Sequence, residues 1–264
     1  MNILIVYAHP EPRSFNGALR DVAVEALRAA GHAVVVSDLY AMAFGAVAGV
    51  ADFLGERADS EVLSIPREQT RAYETGTLAP DILIEQDKVR RADLVIFQFP
   101  MWWFGMPAIL KGWVDRVFAR GFAYVAGRKY DTGLMRGKTA MVVATTGTSA
   151  DTYAPDGIDG DILNILWPIY NGLFRYTGFD VLEPFIAYMP GKIGAAERAA
   201  CLEEYRRRLL TLEATPKLFF HSLEDYGPNE RFKPGVIARS SFQRDVETTA
   251  SSSCATWSAT GSRP

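Results

Sequence analysis

With 264 residues, 48% of them hydrophobic and 22% charged, the chain is long enough and apolar enough for one large domain with a sizeable core. A formal charge of −3 offers no general attraction to nucleic acid or anionic lipid, so neither is an expected partner. Cys201 and Cys254 match no metal-ligand spacing, no apolar run reaches a membrane-spanning length, and no basic leader precedes the first apolar run; a metal-free, cytoplasmic protein is the expectation.

Hydrophobic periodicity then alternates along the chain. "ILIVYA" (Ile3–Ala8) is a continuous β-rich run, the pattern of a strand covered on both faces. Gly17–Gly31 carries apolar residues at helical spacing and stops on a glycine suited to a C-terminal cap. Ala33–Tyr40 reads as a second strand, and residues 41–80 as an insertion of short helices and loops. Pro80–Asp93 is a helix with proline at its start, Leu94–Pro100 the third strand, and Pro107–Gly121 the next helix. Thr139–Thr146 is strand four. Gly160–Gly178 is a helix kinked at Pro168, Phe179–Tyr188 strand five, and Ala195–Ala214 the closing helix.

Strands alternating with helices imply an α/β fold, a doubly wound five-stranded parallel sheet with helices on both faces, of flavodoxin-like order. Such sheets take ligands beyond the carboxyl ends of their strands. That brings three loops to one rim: His9–Asn16, Met101–Met106 and Gly147–Asp159. The sheet domain is expected over residues 1–236. Residues 237–264, rich in Ser and Thr, read as a disordered tail in which Trp257 is the one residue suited to docking.

The rim loops differ in character. In "AHPEPRSFNGALR", Pro10 and Pro12 hold the chain extended while Ser14 and Asn16 are good helix caps. The loop either simply caps its helix, with His9 a polar strand-end residue, or uses the helix start, His9 and Arg13 to hold an anion. In "MWWFGMPAILKGWVDRVF", Trp102, Trp103 and Phe104 follow a buried strand before any helix begins. An aromatic loop there suits either a flat ligand or an apolar interface. Trp113, on the following helix, belongs to a core stripe.

"HPEPRSFN", "DLVIFQFPMWWFGMPAILKGWVDRVF", "FAY" (Phe122–Tyr124), "TTGT" (Thr145–Thr148) and "GFDVLEP" occur in that order. Together they resemble the FAD-dependent NAD(P)H:quinone oxidoreductase family, the DT-diaphorase type, from Met1 to roughly Val236. The resemblance implies a homodimer with active sites at the subunit interface. Bound FAD would pass two electrons as hydride from NADH or NADPH to a small quinone, in ping-pong fashion. Azo dyes and nitroaromatics are further acceptors it suggests. Two alternatives share the fold: an ancillary regulatory subunit of a potassium-efflux transporter, and an FMN-dependent azoreductase.

By the same resemblance, Trp103 and Phe104 touch the flavin ring, and Pro100, Met101 and Trp102 line its edge and ribityl chain. His9, Ser14, Phe15 and Asn16 hold the pyrophosphate. Thr145, Thr146, Gly147 and Thr148 bond the pyrimidine side, with strand-end packing the alternative for Thr145 and Thr146. Arg198 lies near the adenosine or forms a surface salt bridge. Tyr153 falls on the family's catalytic tyrosine, whereas the family's catalytic histidine is replaced by Asp159. That aspartate either accepts a hydrogen bond from Tyr153, is protonated by burial, or is a solvated loop carboxylate. Tyr124 keeps one tyrosine of the acceptor pocket, and Ala126 stands where relatives often carry a second, opening that side. An indole at Trp102, where relatives carry a polar residue, would either narrow the pocket or change which acceptors enter. Phe232 receives no role.

Overall fold

The computed structural model describes residues 1–239; the Ser/Thr-rich stretch from 240 on, with Cys254 and Trp257, lies outside the described residues. The elements are β1 (Asn2–Tyr7), α1 (Phe15–Ala29), β2 (Ala33–Asp38), α2 (Ile65–Thr75), α3 (Pro80–Arg91), β3 (Leu94–Pro100) and α4 (Ala108–Val117). They continue with β4 (Thr139–Thr145), α5 (Ile162–Ile165), α6 (Trp167–Ile169), β5 (Asp180–Val181), β6 (Phe185–Ala187) and α7 (Ala195–Leu210).

All strand pairs are parallel, in the order β2-β1-β3-β4-β5, with β6 also pairing β4. β3 is buried along its whole length, as its unbroken apolar run requires. Ile3, Ile5, Leu94, Ile96, Met141 and Val143 pack on one face against Leu19, Ala23 and Leu27 of α1 and Tyr205 and Leu209 of α7. At about 25 cal/mol per Å² of apolar surface removed from water, such burial is the main favourable term in folding. On α4, Trp113 is fully buried, edge-on to Phe97 at 5.7 Å, and its indole N–H donates to Glu85 at 2.9 Å.

Two expected elements are broken. The fifth strand is two segments: Leu182 N–H still donates to the Ala140 carbonyl, but Glu183 N–H turns away to Pro216 O. Pro184 has no N–H to offer the ladder, and pairing with β4 resumes only at Phe185. The kinked helix is α5, α6 and then a π-helical turn over Tyr170–Arg175 that ends at Gly178, whose φ is 104°. The helical hydrogen-bond ladder is interrupted around Pro168.

The insertion after β2 contains α2 and a short 3-10 turn at Val50–Asp52. It is clipped to α3 and α4 by Arg116, which donates to Asp52 at 2.8 Å, to Asp81 at 2.6 Å and to the Gly45 carbonyl at 2.8 Å. Gly112 permits this approach, since a Cβ there would run into the Ala46 backbone.

The unit that carries the sheet spans Met1–Leu218, and the described residues from Phe219 on belong to a second unit. Within that second unit Tyr226 stacks on Phe232 at 4.9 Å and His221 Nδ1 lies 2.8 Å from Asp225. Among the described residues no helix is long and apolar enough to cross a membrane.

Candidate functional site

The carboxyl ends of β1, β3 and β4 converge on a rim that is tied together by side chains. Asn16, in the first turn of α1, donates through Nδ2 to the Thr145 hydroxyl at 2.7 Å. Gln98, the one polar residue within β3, donates through Nε2 to the Asn16 carbonyl at 2.6 Å. Both amides are buried, and Asn16 Oδ1 and Gln98 Oε1 have no hydrogen-bond partner among the described residues. Flipping Gln98 would set its oxygen against the Asn16 carbonyl, so the orientation is fixed by the bond it makes. Each unsatisfied buried acceptor costs about 1–3 kcal/mol, and both of these oxygens are sealed from solvent.

Asn16 Oδ1 belongs to a residue that lines a cavity of about 640 Å³, shared by His9, Arg13, Ser14, Phe15, Thr145, Pro190, Gly191, Arg198 and Leu202. Ser14 caps α1 through a bond from Gly17 N–H to its hydroxyl at 3.1 Å, so the capping reading holds. Capping does not exclude an anion, because the first turn of any helix leaves several N–H groups without an intrahelical acceptor, and this one carries no acidic residue. Gly17 is required: a Cβ there would collide with the Pro12 carbonyl, which presses on the start of the helix. His9 accepts the Glu11 N–H at Nδ1 (3.0 Å), and burial holds its pKa below the usual imidazole value. Arg198 donates to the Ile193 carbonyl at 2.6 Å, and among the described residues no carboxylate pairs with it. The four residues expected at the pyrophosphate, His9, Ser14, Phe15 and Asn16, thus meet in one cavity with Thr145 and with Arg198, which was expected near the adenosine.

The aromatic loop leaves β3 beside this cavity, since Pro100 is the register partner of Thr145 and Met101 N–H donates to the Thr145 carbonyl at 2.9 Å. Trp102 and Gly105 exchange two backbone bonds, at 3.1 and 3.0 Å, closing a two-residue turn over Trp103 and Phe104. Neither ring is packed away: Trp103 is 98% exposed and Phe104 50%. Such rings offer a planar partner offset or edge contacts worth about 0.5–1.5 kcal/mol each beyond area burial.

The loop after β4 folds back on itself. Thr146 donates its hydroxyl to the Thr148 carbonyl at 2.7 Å, and Gly147 is exposed between them. Tyr153 is buried with its ring 6.0 Å from that of Tyr188. The Asp159 carboxylate accepts from Thr148 at 3.3 Å rather than from Tyr153, and its N–H donates to the Thr152 carbonyl at 2.9 Å. Half-buried Tyr124 lies edge-on to Tyr176 at 6.0 Å, and burial raises its phenol pKa. Ala126 is exposed in the turn between Val125 and Arg128.

Sequence reasoning missed the Gln98–Asn16–Thr145 lock and the tyrosine partners Tyr176 and Tyr188. Gln98 carried a signal: a lone amide inside "LVIFQFP", a run otherwise buried on both faces.

A family model for the flavodoxin-like fold matches residues 1–210. The NAD(P)H dehydrogenase [quinone] 1 of Rattus norvegicus is 44% identical over 242 residues, which is 92% of this chain and 88% of the rat protein. The Homo sapiens ribosyldihydronicotinamide dehydrogenase [quinone] is 47% identical over 210 residues, 80% of this chain and 91% of that protein. Among solved structures, a candidate quinone reductase from Klebsiella pneumoniae superposes with a TM-score of 0.86 at 43% identity, covering 89% of this chain and 94% of the other.

Proposed function

The chain belongs to the flavodoxin-like NAD(P)H:quinone oxidoreductase family, and on that premise we propose that it oxidises a reduced nicotinamide and delivers two electrons to a quinone by way of a bound flavin. The observation that carries this reading is the rim itself: the residues expected at the pyrophosphate line one cavity, directly beside an exposed aromatic turn. A flavin, when bound, supplies the two-electron redox chemistry, accepting hydride and later giving it up.

The fit is chemical. An anionic tail suits the start of α1 with Arg13 and Arg198 near it. A planar ring suits the exposed Trp103 and Phe104. Pro100, Met101 and Trp102 lead into the turn and line the ring edge in this reading. FAD is favoured over FMN because the cavity reaches from the α1 start to Pro190, Gly191 and Arg198 at the start of α7, more than one phosphate needs.

What the chain's own groups do follows from their chemistry. Burial lowers the His9 pKa and so favours its neutral, hydrogen-bonding form. On the far side of the ring site Thr145 keeps a hydroxyl proton to donate, and Gly147 and Thr148 offer backbone N–H groups, whereas the Thr146 and Thr148 hydroxyls are spent on Thr148 O and Asp159. Donors placed where negative charge develops in reduction lower the barrier most. Tyr153 is the proton-holding group of this set. Asp159 acts through Thr148, fixing that hydroxyl's direction. Tyr124, with Tyr176 against it, forms one wall of the acceptor pocket, and Ala126 leaves the wall open beyond it. The active unit is a homodimer in this reading, and the exposure of the aromatic turn supports a second subunit closing over it.

The test is oxidation of NADH and NADPH, with menadione as acceptor, by flavin-loaded protein, followed by chromatographic identification of the flavin released on heating. Absence of turnover sinks the quinone reading, and release of FMN moves the chain to the azoreductase-like branch. Dihydronicotinamide riboside belongs in the donor panel, since the human relative is named for that substrate.

A further inference from the structure

Six non-glycine residues among those described have a left-handed φ, and only Trp103 (50°) and Phe104 (60°) are adjacent. Two successive positive φ angles inside a two-residue hairpin are the signature of a type I′ turn, where Asn-Gly is the favoured pair. Bulky side chains are genuine outliers in this region. The glycine of the motif stands one place too late to help. Gly105 has no left-handed φ, and a Cβ added there would meet nothing nearer than Trp103 O at 4.0 Å.

Strain of this kind persists only where something compensates it. Packing inside the chain does not, with Trp103 almost wholly exposed and Phe104 half so. The backbone does: the paired Trp102–Gly105 bonds and the Met101–Thr145 bond hold the turn against the end of the sheet. Met189, a further residue of the six (φ 39°), lies on the same rim, its N–H 3.4 Å from the Thr146 hydroxyl. Backbone strain therefore gathers where the ligand is expected.

We propose that Trp103 and Phe104 form a pre-set, strained platform: the chain gives up stability of its own to hold two aromatic side chains in place before any ligand arrives. Resting on the flavin reading above, this makes the backbone groups of Met101, Trp102 and Gly105 the ones that hold the turn. A ring then docks without the ordering cost that a relaxed loop would impose.

The experiment compares full-length wild type, the double variant Trp103→Asn/Phe104→Gly, and Trp102→Asn, each stripped of flavin. Trp102 is a neighbouring exposed aromatic without a positive φ, so its variant reports loss of an indole without relief of strain. The double variant is expected to melt about 3–8 °C above both others, reflecting two relieved left-handed residues in a chain of this size. In titration with FAD it is expected to bind at least about tenfold more weakly, from the loss of two ring contacts. An unchanged or lower melting temperature with weakened binding overturns the platform and leaves the flavin reading intact. A raised melting temperature with unchanged FAD affinity overturns both the platform and the flavin role of this turn. If wild type itself takes up no FAD, it is the flavin reading that fails.

Discussion

Replacing Arg116 by leucine tests the joint that holds the insertion to the sheet domain. Its guanidinium is 7% exposed and bridges Asp52, whose side chain is 5% exposed, and Asp81, which is 44% exposed. The two halves of the bridge therefore carry unequal weight. Losing the contact to Asp81 costs about 0–1 kcal/mol, since water takes over a half-exposed carboxylate. Losing the contact to Asp52 strands a buried carboxylate whose remaining bond is from Gly49 N–H at 3.1 Å, a change of about 3–5 kcal/mol. The expected fall in melting temperature is on the order of 10 °C for a chain of this length. The assay is urea unfolding followed by tryptophan fluorescence and by circular dichroism. Adding Asp52→Asn to the leucine variant keeps an acceptor for Gly49 N–H and removes the stranded charge, and should recover at least half of the loss. A single variant within about 1 kcal/mol of wild type, or a double variant no better than the single, refutes the reasoning.

Three further outcomes follow from the rim. Asn16→Ala breaks the bond between α1 and Thr145, and should cost about 1–2 kcal/mol in unfolding experiments and weaken FAD binding; unchanged values in both would show that the lock does not form. His9 has a folded pKa below its unfolded value of 6.5, so it contributes stability above pH 6.5 that is lost as the pH falls through the folded pKa. His9→Asn should flatten the stability profile on that acid side, which thermal melts across pH 5–8 would measure. Asp159→Asn keeps an acceptor for the Thr148 hydroxyl while removing a negative charge near the site of reduction, so stopped-flow flavin reduction should speed up by about two- to tenfold, and a slowed step would assign the carboxylate a positive role.

Most of the architecture was legible because strand and helix periods are written in local sequence. β3 announces itself in seven buried residues, and α1 in its apolar spacing and its serine cap. What escaped depends on partners distant in the chain. Pro184 within "FDVLEPFIAY" marks where the ladder must break, but nothing there says that Pro216 will take the Glu183 N–H. Nothing near Arg198 says that it will bond Ile193 O instead of a carboxylate. The site divides the same way. Helix-start chemistry identified Ser14 and Asn16, but the amide lock through Gln98 spans 82 positions and is visible only in three dimensions. The aromatic turn was legible as composition. Its left-handed backbone was not, because Trp-Phe is the last pair that propensity would choose there.

The divided outer strand has a consequence for how copies of the chain can meet. A long bare margin would present a ladder of free N–H and C=O groups to any passing strand. Here β5 has two residues and β6 three, and the backbone of Pro216–Leu218 already occupies Val181 O and Glu183 N–H at the break. That margin is too short and too interrupted to template a foreign strand. Association through this side must use side chains in place of backbone ladders, so a strand-to-strand contact between copies is confined to the opposite edge, the six-residue β2.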